Sequence, residues 1–421
     1  MMTSDTSPRE AFVWVWLPGA AQPVVAGRIE GQGRSFPFTY GKSYLGRSDA
    51  IALYRPELPL KSGRQQPLVG LDIAGCLADG GPDSWGRRVI LARHLGHLDS
   101  MTDTGELSPL SYFLQSGSNR IGGLDFQSSS DEYIPRSPDH QATTEDLAQA
   151  SERIQAGEPL AADLGEALVR GASIGGARPK AILFDEVRGL EVIAKFSMTN
   201  DVYPAIQAEA VAMELGRRVG LNVAATRVTQ AAGRYTLLVD RFDRTVGGGR
   251  KIMVSALTML GLNEMIAPRS SSYVVFADLM RRNFKGGGAA RRELFRRIVF
   301  NIAVGNTDDH ARNHAAFWDG NHLEMTPAYD IAPQIRSGND VNQAMTISRS
   351  GDRRSRFSTC IAAAGEYGLG PAEAIDIVDH VKQVVNDEWD DAADVTELSS
   401  LVRQQLWTRS ILNPSIEWEW D

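Results

Sequence analysis

The chain of 421 residues contains only two cysteines, Cys76 and Cys360, and they lie far apart in the sequence. It has no CxxC pair and no set of cysteines for a disulfide framework, so a reducing cytoplasm is the simplest compartment. The first ten residues lack the charged-then-apolar order of a signal peptide. No run of residues is apolar for long enough to span a bilayer. We therefore expect a cytoplasmic protein that does not act at a membrane.

An excess of basic charge is also missing. Lysine and arginine number 44 against 52 aspartates and glutamates, which gives a net charge of −8. The molecule as a whole therefore does not look like a nucleic-acid-binding protein, although an acidic total leaves room for a local basic patch. With 43% hydrophobic and 23% charged residues, the composition is that of a globular protein with a large core.

The order of strand-like and helix-like segments indicates an α+β protein of two or three domains. Residues 9–127 combine strand-like runs with turns, and residues 145–244 contain an expected antiparallel pair of strands at 181–184 and 191–196. Residues 250–421 are largely helical. Helices are predicted over 83–97, 205–219, 273–282, 291–304, 371–385 and 394–407.

The strongest chemical pattern is the segment 305–314, GNTDDHARNH, which follows a predicted helix. A protein kinase needs an aspartate to accept the proton of the acceptor hydroxyl, and an asparagine five residues later to bind a metal ion. Asp308 and Asn313 have this spacing, whereas Asp309 does not. The spacing therefore predicts Asp308 as the base.

A short hairpin is predicted after this segment, with strands at 315–318 and 323–325 and an Asp-Gly turn between them. A kinase carries its second metal-binding carboxylate downstream of its catalytic loop. Asp330 occupies that place, just after the hairpin. We expect Asp330 and Asn313 to bind Mg²⁺.

Two other interpretations of the segment remain open at this stage. Adjacent aspartates are common as turn and helix-capping residues. His310 and His314 stand four residues apart and could join Asp308 in the metal site of a hydrolase. The sequence has no HExxH motif and no obvious third ligand set for such a site.

Upstream, residues 171–180 (GASIGGARPK) form a small-residue loop that leads into a strand. Its backbone N–H groups could cradle phosphate, although it is not a GxxxxGK[ST] loop and Gly-Gly pairs are common in turns. Lys195 lies in the middle of the next strand, like the phosphate-binding lysine of a kinase, although it could instead snorkel to the surface. Its expected ion-pair partner is Glu209 on the following helix, with Glu214 as the alternative.

The last strand of the β-rich part ends in LLVDRFDR, where the two lobes of a kinase would join. Backbone groups of Val239, Asp240 and Arg241 could read the edge of adenine, Phe242 could pack on it, and Asp243 could bind the ribose. An ordinary strand end with a salt bridge is equally compatible with these residues. The order of these features along the chain is nevertheless the one that a kinase requires. The small-residue loop comes first, then the strand lysine, the helix glutamate, the hinge, the base and the metal ligand.

Together these segments resemble the HipA family of serine/threonine kinase toxins. Residues 173–180 resemble its Gly-rich loop, 307–313 its catalytic loop, 323–331 its metal-binding segment and 239–244 its nucleotide hinge. Residues 58–60, 81–88 and 117–124 are similar to its accessory β-subdomain. The resemblance therefore covers nearly the whole chain.

The resemblance implies a HipA-like kinase fold. An accessory β-subdomain would span 9–127, a kinase N-lobe 145–244 and an all-helical C-lobe 250–421. It implies ATP and Mg²⁺ as cofactors, with Asp308 as the base, Lys195 as the phosphate clamp, and Asn313 and Asp330 as the metal ligands. The residues that it implies for nucleotide binding are Ser173, Ile174, Gly175, Gly176, Ala177, Lys180, Lys195, Val239, Asp240, Arg241, Phe242, Asp243, His310 and Arg312.

The resemblance also implies regulation and partners. Ser173 would be autophosphorylated, and the added negative charge would eject the loop from the nucleotide site. Family members pair with a small HipB-like helix-turn-helix antitoxin that bridges them to operator DNA, so contact with DNA would be indirect. Studied members act on the translation machinery, including aminoacyl-tRNA synthetases. A non-toxic, kinase-fold partner of a DNA-bound repressor is the alternative function.

Two positions depart from the family pattern. Asp240 stands where some members have a longer glutamate, and Asp309 replaces a glycine found in others. Neither change removes a group that the chemistry requires.

Overall fold

The structure, a computed structural model, describes residues 8–95, 107–136, 144–156, 158, 178–197, 201, 203–231, 233–335, 338 and 341–418. Within these ranges, none of the helices is long and apolar enough to cross a membrane.

The N-terminal segment forms a five-stranded antiparallel sheet in the order β4-β3-β2-β1-β5. Along its first strand, Ala11, Val13 and Val15 are completely buried, as the two-residue period of a strand requires when one face meets the core. The strands are β1 (Glu10–Val15), β2 (Val24–Glu30), β3 (Phe38–Tyr40), β4 (Arg64–Gln65) and β5 (Leu124–Gln127). The helices are α1 (Lys42–Leu45), α2 (Gly75–Ala78), α3 (Ser84–Leu95) and α4 (Pro109–Gln115), of which α3 is the helix expected over 83–97.

A fully buried arginine holds the end of this sheet to the chain around it. Arg120 pairs with the buried carboxylate of Asp125 at 2.7 Å and also donates to the carbonyl of Gly80 and the hydroxyl of Ser116, at 3.1 and 2.8 Å. Burial lowers the pKa of Arg120 to about 10, although Asp125 opposes the shift. The guanidinium remains charged at neutral pH, so its partners are needed to offset its lost hydration.

The middle segment adds a four-stranded antiparallel sheet in the order β6-β7-β9-β8. The antiparallel pair expected at 181–184 and 191–196 is confirmed. Helix α6, expected over 205–219, packs against β8 and β9 and is followed by Gly220, whose φ of 81° suits the end of a helix. The elements are α5 (Thr144–Ala156), β6 (Lys180–Asp185), β7 (Leu190–Phe196), α6 (Ala205–Arg218), β8 (Thr226–Ala231) and β9 (Arg234–Asp240).

The C-terminal segment is mainly helical but contains a third sheet. The predicted hairpin is confirmed, and an additional strand pairs with it, so the expectation of an all-helical lobe needs this correction. The strands are β10 (Ile252–Ser255), β11 (Ala315–Trp318) and β12 (Leu323–Met325). The helices are α7 (Ala256–Met259), α8 (Ala267–Ser270), α9 (Tyr273–Asn283), α10 (Gly287–Val304), α11 (Phe357–Ala363), α12 (Pro371–Asp387), α13 (Trp389–Val395) and α14 (Ser400–Leu406).

The helix predicted over 394–407 is confirmed only over Ser400–Leu406, because the chain breaks between α13 and α14. Glu397 adopts a left-handed φ of 56°, which a continuous α-helix does not allow. Ser399 then starts α14 as its N-cap, with its hydroxyl accepting a hydrogen bond from the backbone N–H of Val402. The apolar period continues across the break, so periodicity alone did not reveal it.

The N-terminal segment packs directly on the third sheet. The indole N–H of Trp318 donates to the carbonyl of Ala52 at 2.7 Å. The backbone N–H and the hydroxyl of Ser255 both donate to Asp79, at 2.8 and 2.7 Å. A Cβ at Gly123 would lie 3.2 Å from the backbone nitrogen of Ile252, so this close approach favours glycine. One hydrophobic core runs through all three segments.

The Arg120 cluster generates a stability prediction. Arg120→Met should lower the stability of the N-terminal sheet by about 3–5 kcal/mol, because it leaves buried acceptors without their donor. Arg28→Met is the matched control, since Arg28 is 47% exposed in its pairs with Glu10 and Glu30 and should contribute less than about 1 kcal/mol. Native-state hydrogen exchange over β1 and β5 measures both changes. Equal protection in the two variants would contradict the prediction.

Candidate active site

A cleft lies where the three segments meet, and each of them contributes to its lining. The middle segment supplies Lys195, Glu209 and the chain end of β9, and the C-terminal segment supplies Asn313 and Asp330. The N-terminal segment supplies a third wall that the motif analysis did not assign to the site: Asp79, Gly81, Asp83, Ser84 and Ile121. The sequence signals for this wall were the stretches 81–88 and 117–124, which resemble the accessory subdomain.

Lys195 bridges two carboxylates inside the cleft. Its Nζ lies 2.5 Å from a carboxylate oxygen of Glu209 and 2.5 Å from one of Asp330. Burial favours the neutral amine, but the two carboxylates outweigh it and raise the pKa of Lys195. Glu209 is the helix partner rather than Glu214, which instead binds Arg217 and Arg218 of its own helix.

Asp330 is held in an uncommon backbone conformation, with a φ of 60°. Non-glycine residues in this region cost free energy and occur preferentially at functional sites. The preceding Tyr329 fixes the segment, because its hydroxyl donates to the carbonyl of Arg312 at 2.8 Å. Burial would raise the pKa of Asp330, but Lys195 outweighs it and holds that pKa below its ordinary value. Asp330 is therefore ionised, which its predicted role in binding Mg²⁺ requires.

Asp309 is a structural residue of the predicted catalytic loop. Its carboxylate accepts hydrogen bonds from the hydroxyl of Tyr273 at 2.6 Å and the amide of Asn301 at 2.8 Å, and it lies 2.9 Å from His314 Nε2. Burial would raise the pKa of Asp309, but His314 and Tyr273 outweigh it and the pKa is lowered. This buried network shapes the loop and leaves the exposed Asp308 to face outward.

The predicted base and metal-binding asparagine share one turn. The backbone N–H of Asn313 donates to the carbonyl of His310 at 2.8 Å, and its side-chain amide approaches the carbonyl of Asp308 at 3.4 Å. Although Asp308 is an exposed residue, the protein around it removes part of the hydration of its carboxyl group, and this raises its pKa. His310 opposes the shift and Asp330 adds to it. An elevated pKa makes a carboxylate a stronger proton acceptor.

The described residues do not form the metal site that the hydrolase interpretation requires. His314 is instead buried in its contact with Asp309. Throughout the part of the chain that the structure describes, no group of three or more His, Cys, Asp and Glu side chains could hold a metal ion. The amide of Asn313 and the carboxylate of Asp330 suit Mg²⁺ instead, which takes few protein ligands beside phosphate oxygens and water.

The predicted hinge, residues 239–244, is hydrogen-bonded to the N-terminal segment. Arg241 donates to the carboxylate of Asp243 and to the carbonyl of Arg120, at 2.7 and 2.6 Å. The same carboxylate accepts the backbone N–H of Gly122 at 2.7 Å and a guanidinium N–H of Arg244 at 3.0 Å. Asp243 therefore anchors the hinge, and because it also lines the cleft, its contact with ribose stays a prediction.

The other hinge residues differ in whether their groups are free to contact a nucleotide. The backbone N–H groups of Asp240 and Arg241 already donate to the carbonyls of Ala225 and Glu191, at 2.9 and 3.1 Å, so they are not free to read adenine. The side chain of Asp240 binds Arg188. Phe242 lines the cleft beside Tyr329, with 5.8 Å between ring centroids, and remains the predicted adenine contact.

The predicted contact of Lys180 with the nucleotide needs a correction. Its side chain is 1% exposed, and its Nζ lies 3.2 Å from the carboxylate of Asp83. Asp83 lines the cleft and Lys180 lies behind it, so a direct nucleotide contact by Lys180 is not supported. The predicted loop residues Ser173, Ile174, Gly175, Gly176 and Ala177 lie outside the described residues. His310 and Arg312 both line the cleft.

A family model described as the HipA-like C-terminal domain matches residues 172–389, more than half of the chain. The chain belongs to the HipA family. The matched range contains the strand lysine, hinge, catalytic loop and Asp330, and it leaves out the N-terminal wall of the cleft.

Individual relatives of this HipA-family protein match over shorter stretches. Y4mE of Sinorhizobium fredii, which is named as a kinase, is 29% identical over 179 residues, covering 39% of this chain and 42% of its own length. The serine/threonine-protein kinase toxin HipA of Shewanella oneidensis is 27% identical over 183 residues, covering 38% of this chain and 42% of its own length. The match therefore spans less than half the length of each of these two relatives.

The similarity in fold extends over the whole chain. The chain with which it aligns comes from the complex of Shewanella oneidensis HipA, HipB and operator DNA, with a TM-score of 0.64 at 17% identity. The alignment covers 96% of this chain and 100% of that one. The α+β HipA kinase fold, including the N-terminal segment, is therefore confirmed.

The buried ion pair of Asp83 and Lys180, which joins the N-terminal and middle segments, leads to a second prediction about stability. Asp83→Asn and Lys180→Met should each lower the free energy of unfolding, because each leaves the other residue buried without its countercharge. The double variant should lose less than the sum of the two, with a coupling of roughly 1–3 kcal/mol in a double-mutant cycle.

The exposed pair Arg47–Asp49, at 2.8 Å, is the control and should couple by less than about 1 kcal/mol. Chemical denaturation of the four proteins of each cycle gives the coupling energies. Additive effects at Asp83 and Lys180 would show that the two side chains do not interact.

Proposed function

We propose that this protein transfers the γ-phosphoryl group of ATP to a serine or threonine hydroxyl of another protein. The observation that carries the proposal is the bridge from Lys195 to both Glu209 and Asp330, inside a cleft that Asn313 also lines. This combination of strand lysine, helix glutamate and metal-binding aspartate is what phosphoryl transfer needs for positioning and charge neutralisation.

Each side chain has a task that its position supports. Lys195 would bind the phosphates of ATP while Glu209 fixes its direction. Asn313 and Asp330 would hold Mg²⁺, which neutralises charge on the phosphate oxygens when it is bound. Asp308 would orient the acceptor hydroxyl and take its proton as the oxygen attacks the γ-phosphorus and the bond to ADP breaks.

The contact of Lys195 with Asp330 suits a resting state. With Mg²⁺ and ATP present, the carboxylate would turn from the amine to the metal, and the amine to phosphate. Because Glu209 keeps its own contact, Lys195 would remain charged and oriented during this exchange.

We further propose the partners that the relatives suggest. One relative is named a serine/threonine-protein kinase toxin, and the protein of similar fold was seen with HipB and operator DNA. A HipB-like antitoxin would therefore bind this protein and link it to DNA indirectly. The resemblance of the sequence motifs, and not these relatives, suggests a component of the translation machinery as the acceptor. The alternative, a kinase-fold partner without turnover, predicts nucleotide binding and no phosphoryl transfer.

Asp308→Gln tests the proposed base. The variant should keep its affinity for Mg·ATP but lose phosphoryl transfer by at least about 100-fold, which lies within the usual contribution of a general base. Transfer of ³²P from ATP and equilibrium binding of a fluorescent ATP analogue measure the two properties. Asp319→Asn is the control, since that carboxylate only accepts backbone N–H groups of the hairpin turn. Normal labelling by Asp308→Gln would remove the proposed role.

Ser173 provides a test of the proposed regulation. Incubation with Mg·ATP should phosphorylate Ser173, as mass spectrometry would detect, and Ser173→Ala should remove that site. Ser173→Asp should weaken ATP binding, because negative charge in the loop repels the phosphates. Ser43→Asp, an exposed change in the N-terminal segment, should not. Unchanged ATP affinity in Ser173→Asp would argue against control through this loop.

A further inference from the structure

A second cavity, of about 330 Å³, opens beside the proposed base. Asp308 lines this cavity and not the nucleotide cleft, whereas Glu264, His310 and Arg312 line both. The two spaces therefore adjoin, and Asp308 stands on the side away from Lys195 and the hinge. An acceptor hydroxyl that reaches Asp308 would come through this cavity.

The walls of the cavity are fixed to the catalytic loop by backbone hydrogen bonds. The N–H of Leu257 donates to the carbonyl of Ala311 at 3.1 Å, and the N–H of Ala344 donates to the carbonyl of Thr307 at 3.1 Å. The N–H of Gln343 in turn donates to the carbonyl of Arg353 at 2.7 Å. Residues 343 and 344 therefore connect the backbone of Arg353, in the cavity wall, to the loop that contains Asp308.

Two guanidinium groups, those of Arg312 and Arg353, and two carboxylates, those of Glu264 and Asp308, line the cavity. Arg312 is paired with Glu264 at 2.5 Å. The neighbours of Arg353 are also satisfied, since Asp352 pairs with Arg354 at 2.8 Å. Arg353 is half-buried, and no carboxylate within the described ranges lies in ion-pair distance of its guanidinium. A partly desolvated cation gains most from an anionic partner that arrives with the ligand.

The rim next to α8 is apolar. Met265 is 85% exposed and Ile266 44% exposed, directly before the helix whose Ala267 and Pro268 line the cavity. Exposed apolar side chains beside a concave site are typical of surfaces that bind another protein. An extended segment of an acceptor protein fits this combination of an apolar rim and one available cation.

We propose that this cavity is the acceptor-substrate site and that Arg353 determines its specificity, by binding an aspartate or glutamate that flanks the acceptor serine or threonine. The proposal rests on the kinase function proposed above and adds the chemical class of the segment that the enzyme selects. Glu264 keeps Arg312 neutralised at the border with the nucleotide cleft, so the acidic side chain is directed to Arg353.

A positional-scanning peptide library tests this proposal. Each peptide carries one serine, and one flanking position at a time holds Asp, Glu, Ala, Lys or Arg. We expect wild-type protein with Mg·ATP to prefer Asp or Glu over Ala by roughly threefold at one flanking position, the effect of an ion pair at a partly exposed site. Arg353→Gln should remove the preference, and Arg353→Glu should reverse it toward Lys or Arg at the same position.

Arg282→Glu is the matched control, because it makes the same change of charge on an exposed arginine of α9 outside the cavity, and it should keep the acidic preference. A preference that survives Arg353→Glu, or a library labelled without any acidic preference, overturns the assignment of Arg353. Transfer of ³²P to Ser173 or to another protein without labelling of any peptide overturns the cavity as a site for an extended segment. Binding of Mg·ATP with no phosphoryl transfer to any protein would instead overturn the kinase function itself, so the two failures are distinguishable.

Discussion

The cleft depends on one buried amine that is shared by two carboxylates. Lys195 belongs to β7, Glu209 to α6 and Asp330 to the segment after β12, so three separate elements meet at a single nitrogen. If any of them moves away, at least one charge stays buried without its partner, which is costly. The ion triad therefore sets the position of the phosphate-binding amine, the helix and the metal-binding carboxylate together.

The features of the site that follow from local chain geometry could be predicted from the sequence. Asp308 and Asn313 lie in one loop, so their spacing alone distinguishes Asp308 from Asp309. The structure shows why Asp309 is not available as the base: its carboxylate is hydrogen-bonded to Tyr273, Asn301 and His314. The strand of Lys195 and the helix of Glu209 were likewise predictable, because strand and helix periods decide which residues face inward.

What could not be predicted depends on contacts between distant parts of the chain. Lys180 is paired with Asp83, 97 residues earlier, and Asp243 with Gly122, 121 residues earlier. A local pattern shows that such residues are charged but not whether a partner already occupies them. The third strand of the C-terminal sheet was missed for the same reason, since β10 pairs with a hairpin about sixty residues further on.

The wall that the N-terminal segment contributes has a consequence for which part of the chain makes a complete cleft. Asp79 and Asp83 lie in a region that precedes the range 172–389 matched by the family model, yet they touch β10 and β6 at the centre of the molecule. A boundary drawn from sequence similarity thus passes through the cleft itself. A protein shortened to the matched range would therefore lack one wall of the cleft and the groups around residues 120–122 that hold Arg241 and Asp243 in place.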